Sequence, residues 1–250
     1  MSSLVALILG AGPNVGHHVA KALQSQKYKV ALGSRNPDVD KLKKDGFFPV
    51  KVDITLPDSV SAAYKTVSTE LGTPNVVVFN AAVWRRPEVE TDPLSLPLED
   101  FKRTLTVSTS VYSVAQDALK GFRSLTSGPK AFIVTGNALP FLPHNNLALY
   151  DLQSLKVVEA HLSEVFWNAY VKEGIRFHFA LLVSQEGTLP AFNDFKISGP
   201  AHATAYWELI SSEKPKGWDY RLRSSLLHSR ALADGSNRFT LDGKQWSKAN

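Results

Sequence analysis

An α/β fold wound around a parallel sheet is what this chain predicts, on three observations. Short apolar runs rich in β-branched and aromatic residues alternate with segments of helical period through most of its length. A glycine-rich turn follows directly on the first of those runs. No internal repeat, low-complexity stretch or linker marks a second unit, so 1–250 is expected as one domain. Parallel strands need long crossovers, and helices supply them as right-handed connections packed on the sheet.

The elements follow in order. Runs at 4–9, 28–32, 47–52, 75–79, 131–134 and 175–183 read as buried strands, apolar throughout because both faces of the sheet are covered. Helical periodicity covers 15–26, 57–71, 98–123 and 150–172. From Ser184 the pattern loosens into an irregular stretch, then a helix near 199–212, then a polar tail closing with Phe239-Thr240-Leu241-Asp242-Gly243.

Composition narrows the classes of function. The chain is 44% hydrophobic and 20% charged, the balance of a globular soluble protein. No run approaches the roughly 20 apolar residues that span a bilayer, so no membrane partner is expected. Met1-Ser2-Ser3 leads straight into a strand, and no leader peptide is expected. The absence of cysteine removes disulfides and thiolate metal ligands, so a cytoplasmic protein without a metal is expected. The net charge of +5 rests on scattered basic residues and short runs such as Lys41, Lys43 and Lys44. Aromatic interleaving is missing, so this is a solvated surface suited to a phosphorylated cofactor rather than a nucleic-acid face.

The turn after the first strand reads Gly10-Ala11-Gly12-Pro13-Asn14-Val15-Gly16. Glycines let backbone amides approach a pyrophosphate, and the helix opening at Val15 offers its free N–H groups and positive dipole end. Gly16 is small enough for that helix to lie close on the sheet. His17 and His18 read as helix-surface residues rather than ligands. At the end of the second strand, Gly33-Ser34-Arg35-Asn36 carries no acid to bond a ribose 2′-hydroxyl. Arg35, helped by Ser34, is suited to a 2′-phosphate instead, which selects NADP as the cofactor.

These residues resemble the short-chain dehydrogenase/reductase family, a Rossmann-type fold with a doubly wound sheet of about seven strands. Gly10, Asn14 and Gly16 occupy the three glycine positions of its TGxxxGxG loop, with Asn14 departing from the middle one. The resemblance implies adenine contacts from Asp53 and Ile54, after Val52. It implies a sheet-stabilising turn at Asn80, Ala81 and Ala82, and Ser108 in place of the family's helix asparagine. Gly174-Ile175-Arg176-Phe177 is similar to the turn into the sixth strand, and Leu241-Asp242-Gly243 to the end of the last. Ala205-Tyr206-Trp207-Glu208-Leu209 with Gly217-Trp218 resembles fungal and bacterial members that carry a GAGPxxG loop. The stretch 184–225 is expected as a substrate lid, with Gly187 near the family's Pro-Gly turn. Trp207, Trp218 and Tyr220 either line an apolar pocket there or pack in the core.

The family's chemistry rests on a Tyr-x-x-x-Lys pair on one helix face, with a serine about thirteen residues upstream. Anchoring on Tyr150 leaves Ser154 at the lysine position and turns Lys156 about 240° away. Anchoring on Lys156 restores the family's spacing of eighteen residues to Gly174 and aligns Leu162, Phe166 and Tyr170 on the apolar face. The second register is preferred, and it puts Leu152, which has no proton to donate, at the tyrosine position. A tyrosine restored at 152 is then expected to meet a lysine placed to lower its pKa. Asn137 is the residue after the fifth strand expected to face the substrate, with Thr135 the alternative. Tyr150 stays a candidate donor if the loop 143–146 folds inward. Asp151 is expected to cap the helix, and His144 to lie in a surface loop.

The expectation is an NADP(H)-dependent oxidoreductase acting on a small organic carbonyl or imine, working as a homodimer or homotetramer. Two alternatives remain open. One is non-redox cyclisation or rearrangement around a retained cofactor, and the other is an NADP-binding regulator without catalysis.

Overall fold

The computed structural model describes residues 3–143 and 146–223. Its first half runs β1 (Val5–Leu9), α1 (Val15–Ser25), β2 (Lys29–Ser34), α2 (Val39–Lys44), β3 (Phe48–Lys51), α3 (Pro57–Glu70) and β4 (Val76–Phe79). The second half runs α4 (Leu98–Ser124), β5 (Ala131–Gly136), α5 (Tyr150–Tyr170), β6 (Arg176–Val183), α6 (Phe192–Lys196), α7 (Gly199–Ser211) and β7 (Asp219–Arg223). The seven strands form one sheet in the order β3-β2-β1-β4-β5-β6-β7, parallel at every pairing.

Side chains alternate across each strand, and that period divides the interior in two. Leu7 and Leu9 of β1, with Val77 and Phe79 of β4, enter the layer shared with α3, α4 and α5. Ala6 and Ile8, with Val76 and Val78, enter the layer under α1 and α7. The helices answer with stripes at i, i+3 and i, i+4 spacing: Val15, Val19 and Leu23 on α1; Val107, Val111, Val114, Ala118 and Phe122 on α4. Pro57 opens α3, where its missing N–H costs nothing. The chain winds outward from β1 to β3 and then returns to place β4 on the other side of β1. A crevice therefore opens at the carboxyl ends of β1 and β4, the place where open α/β sheets bind ligands.

Three details depart from the expected elements. The short helices α2 and α6 are only six and five residues long, too brief to leave a periodic signal. β7 lies inside 184–225, so the end of that stretch belongs to the sheet and not to a lid. It is an edge strand whose Asp219, Arg221 and Arg223 alternate with Tyr220 and Leu222, which hides it from a search for apolar runs. The expected strand end at Leu241-Asp242-Gly243 and the loop residue His144 lie outside the described residues. Among the described residues, no helix is long and apolar enough to cross a membrane.

The turn out of β1 sets the depth of the crevice. Gly10 has φ +94°, and a Cβ there would lie 2.6–2.8 Å from the backbone and Cβ of Ala81, whereas nothing lies within 4 Å of a Cβ on Gly12. Gly10→Ala is expected to cost at least about 1–3 kcal/mol of stability. Gly12→Ala should stay within about 0.5 kcal/mol. Denaturant unfolding of both variants, with unchanged m, is the check.

Candidate functional site

The glycine turn is held from two sides. Gly10 and Ala11 donate their N–H groups to the Gly33 carbonyl of β2 (2.9 and 3.2 Å). From β4, the Asn80 amide Nδ2 donates to the Gly10 carbonyl at 2.8 Å, and the Asn80 backbone N–H to that of Leu9. Asn80 and Ala81 thus lock the turn from below, while Ala82 continues into the cleft wall. A Cβ on Gly16 would meet the Gly10 carbonyl at 2.6 Å, so the first turn of α1, opened by Val15, sits directly on the loop. The His17 N–H of that turn donates to the Gly12 carbonyl at 3.0 Å, and the N–H groups of a helix's first turn are the ones an anion can use.

Asn14 has a use that sequence reasoning did not find. Its Oδ1 accepts from the Gly199 N–H at 2.8 Å and its Nδ2 donates to the Phe195 carbonyl at 2.7 Å, so it ties the loop to the end of α6 and the start of α7. His17 and His18 are half-buried rather than on the open surface. His18 hydrogen-bonds the Asn14 carbonyl through Nδ1 (2.8 Å), and His17 meets Phe47 edge-on.

Beyond the loop lies a cleft of about 290 Å³ whose lining includes Arg35, Ala82, Trp84, Arg85, Asp100 and Arg103. Ser34 is half-buried at its edge, and Arg35 and Arg103 are both exposed. Among the described residues, neither arginine has a carboxylate within 4 Å. Arg103 on α4 carried no sequence signal, because only the crossover brings it opposite Arg35. Asp53 accepts from the Thr55 backbone N–H (2.9 Å) and hydroxyl (2.8 Å). The Thr55 amide holds its carboxyl below the usual carboxylate range, with the two arginines adding to the effect. Ile54 beside it is buried.

At the head of α5 the structure separates the candidate groups. The Tyr150 hydroxyl donates to the Pro93 carbonyl at 2.6 Å, and its ring stacks on Phe101. Burial, then the nearby Asp151 and Asp92, push its pKa up. Tyr150 is therefore a tie between α5 and the turn at 93–95 and does not join Lys156, which corrects its place among the candidate donors. Asp151 corrects another expectation: no side chain caps α5. It is instead fully buried, with Oδ2 accepting from the Arg85 backbone N–H and the Thr104 hydroxyl, both at 2.8 Å. Its Oδ1 is buried without a hydrogen bond, and burial raises its pKa. Asp151 braces the loop after β4 against α4 and α5.

Lys156 runs under the helix to the end of β5, where Nζ donates to the Thr135 carbonyl at 2.9 Å. It also donates to Glu159 Oε2 at 2.7 Å, with the two side chains 5% and 0% exposed. Glu159 was not anticipated, although its i, i+3 spacing from a lysine was the available signal. Burial pushes its carboxyl up, against the pull of the Lys156 ammonium. Lys156, expected to lower the pKa of a tyrosine at 152, is therefore held by two partners and does not stand free. Leu152 is half-buried against the core of the α4–α5 layer.

Asn137 Oδ1 accepts from the Leu139 N–H at 3.0 Å, pinning the turn after β5. Its Nδ2 makes no hydrogen bond among the described residues and remains a donor. The Thr135 hydroxyl receives the Tyr206 hydroxyl at 2.7 Å, a structural use. Ser108 turns its hydroxyl back to the Leu105 carbonyl of its own helix at 2.6 Å, so it reaches less far than an asparagine. Gly187, at φ +84°, closes a turn after β6 by donating to Ser184. Of the aromatics expected near a pocket, Trp207 packs edge-on to Tyr28 and Tyr220 donates to Glu208 on the α1–α7 side, while Trp218 packs near Phe141.

Known proteins share this arrangement. A family model described as enoyl-(acyl carrier protein) reductase matches residues 10–139. The short chain dehydrogenase/reductase dmxR12 of Cryptosporiopsis sp. (strain 8999) is 32% identical over 229 residues, covering 87% of this chain and 90% of that protein. Two solved structures have the same fold. ElxO with NADP bound aligns with a TM-score of 0.72 and 16% identity, over 91% of this chain and 100% of its own. The 3-ketoacyl-(acyl-carrier-protein) reductase of Brucella melitensis complexed with NADH aligns at 0.68 and 19%, over 88% and 97%. With that strand order, that glycine turn and these matches, the chain belongs to the short-chain dehydrogenase/reductase family of oxidoreductases.

Proposed function

We propose that this chain is an NADP(H)-dependent oxidoreductase acting on a small organic carbonyl or imine. The observation that carries the cofactor choice is the pair of arginines, Arg35 and Arg103, which line one cleft with Asp100 and, among the described residues, have no carboxylate within 4 Å. NADP supplies the hydride chemistry, and the protein supplies position and electrostatics. Gly10, Gly12, Val15 and Gly16 are suited to the pyrophosphate, and Asp53 and Ile54 to the adenine. Ser34, Arg35 and Arg103 are suited to the 2′-phosphate, whose doubly charged oxygens reward charge-assisted hydrogen bonds. Among solved relatives, ElxO holds NADP and the Brucella protein holds NADH, so the NADP reading here rests on the arginines.

On the substrate side, Asn137 Nδ2 is the free donor for a carbonyl oxygen, and Lys156 orients the end of β5 and the nicotinamide ribose. No side chain at position 152 donates a proton. An iminium substrate needs none; a ketone takes its proton from water. The same lack of a donor favours a second reading, in which the pocket is kept for a cyclisation or rearrangement without net redox change. Tight NADPH binding with no NADPH consumption across carbonyl and imine panels selects that second reading, or a regulator without catalysis. We further infer a homo-oligomer joined through α4 and α5, which expose Tyr112, Val157, Val158 and Val165.

Arg35→Asp is expected to weaken NADPH binding by about 2 kcal/mol or more, through loss of one charge-assisted contact and gain of a repulsion. Arg103→Ala should act in the same direction, and neither change should weaken NADH. Fluorescence titration with both nucleotides is the measurement, and wild-type preference for NADH contradicts the assignment. Tyr150→Phe should leave turnover within about threefold, since a working general acid would contribute on the order of 10²–10⁴. Its cost should fall on stability, about 1 kcal/mol for the lost bond to Pro93.

A further inference from the structure

The buried pair of Lys156 and Glu159 is the feature that the proposed function leaves unused. A lysine has three N–H donors, and here one goes to the Thr135 carbonyl and one to Glu159, leaving a single proton for a ligand. Glu159 has no second partner, because Oε1 is buried without a hydrogen bond. The match is therefore one cation to one carboxyl. A carboxylate at 159 offsets the ammonium at contact distance.

We propose that Glu159 is a positioning residue that fixes Lys156 Nζ against the end of β5 and offsets its charge, so that Lys156 orients a bound ribose but does not acidify a donor at position 152. This reading depends on Leu152 and Lys156 sharing a helix face, not on the identity of the cofactor. It accounts for two departures together. A leucine at 152 leaves no phenolate to be stabilised, and a buried carboxyl then supplies the counter-charge that a buried ammonium requires. The other titratable groups buried on the elements around α5 are Asp151 on α5, His178 on β6, His202 and Tyr206 on α7, and Asp219 with its partner Arg221 on β7. Burial pushes His178 and His202 down to about 4, so neither adds charge near neutral pH.

The test places a phenol where the charge would be felt. Leu152→Tyr and Leu152→Tyr/Glu159→Gln are prepared with 13Cζ-labelled tyrosine, and the new resonance is titrated by NMR without any cofactor. With Glu159 present, the phenol is expected to titrate at or above the ordinary tyrosine value of about 10. With glutamine at 159 it should fall by about 1–3 pH units, the usual effect of an uncompensated cation within reach. A depressed phenol with Glu159 intact, or no difference between the two variants, overturns the proposal. If the glutamine variant does not fold, thermal unfolding of Lys156→Met, Glu159→Leu and the double variant decides. A matched pair predicts that the double variant melts above both singles. Additive losses of melting temperature overturn it.

Discussion

The contact between Gly10 and the Asn80–Ala81 turn is the constraint on which the rest of the structure depends. β1 and β4 are neighbours in the sheet but far apart in sequence, and their carboxyl ends must meet without a side chain between them. A Cβ at Gly10 would collide with Ala81, and Asn80 spans the gap by donating to the Gly10 carbonyl. That closure fixes where α1 begins and holds its amide end over the crevice. The cleft toward Arg35 and Arg103 then follows from the directions in which β2 and α4 leave the same junction.

α5 buries charge alongside its apolar core residues Leu155 and Ala160. Asp151, Lys156 and Glu159 all lie inside, on a helix whose outer face carries apolar residues. Burying an unpaired charge is costly, and breaking a buried pair costs about 3–5 kcal/mol, so each of these groups needs a fixed partner. Asp151 finds the Arg85 amide and Thr104; Lys156 and Glu159 find each other. The effect is to set the rotation and depth of α5 against α4 and β5. That is the geometry on which a ligand at the end of β5 would rely.

The two halves of the site have diverged unequally from the family pattern. The nucleotide half keeps the glycine turn, the Asn80–Ala81 lock and an acid at 53, and its one odd residue, Asn14, ties the loop to α6 and α7. In the proposed register the chemical half keeps the lysine, with Glu159 beside it, and places a leucine, an asparagine and a short serine at the other positions. A pocket that held a nucleotide without a proton donor would suit substrates that need only position.

The sequence by itself determined the winding of the fold, because strand and helix periods and the glycine turn are local properties that reach few alternatives. It located six of the seven strands among the described residues and the long helices, and it placed Lys156 and Leu152 on one helix face from spacing alone. It missed β7, whose edge position lets polar residues alternate, and the short helices α2 and α6. Only the tertiary structure decided which charges face one another. Arg103 becomes a partner of Arg35 through the crossover from β4 to α4, and Asp151 stops being a cap because Thr104 and Arg85 arrive beside it. Glu159 meets Lys156 because that face of α5 is turned inward against β5. Burial and long-range proximity are set by how elements dock, and no local pattern of residues records them.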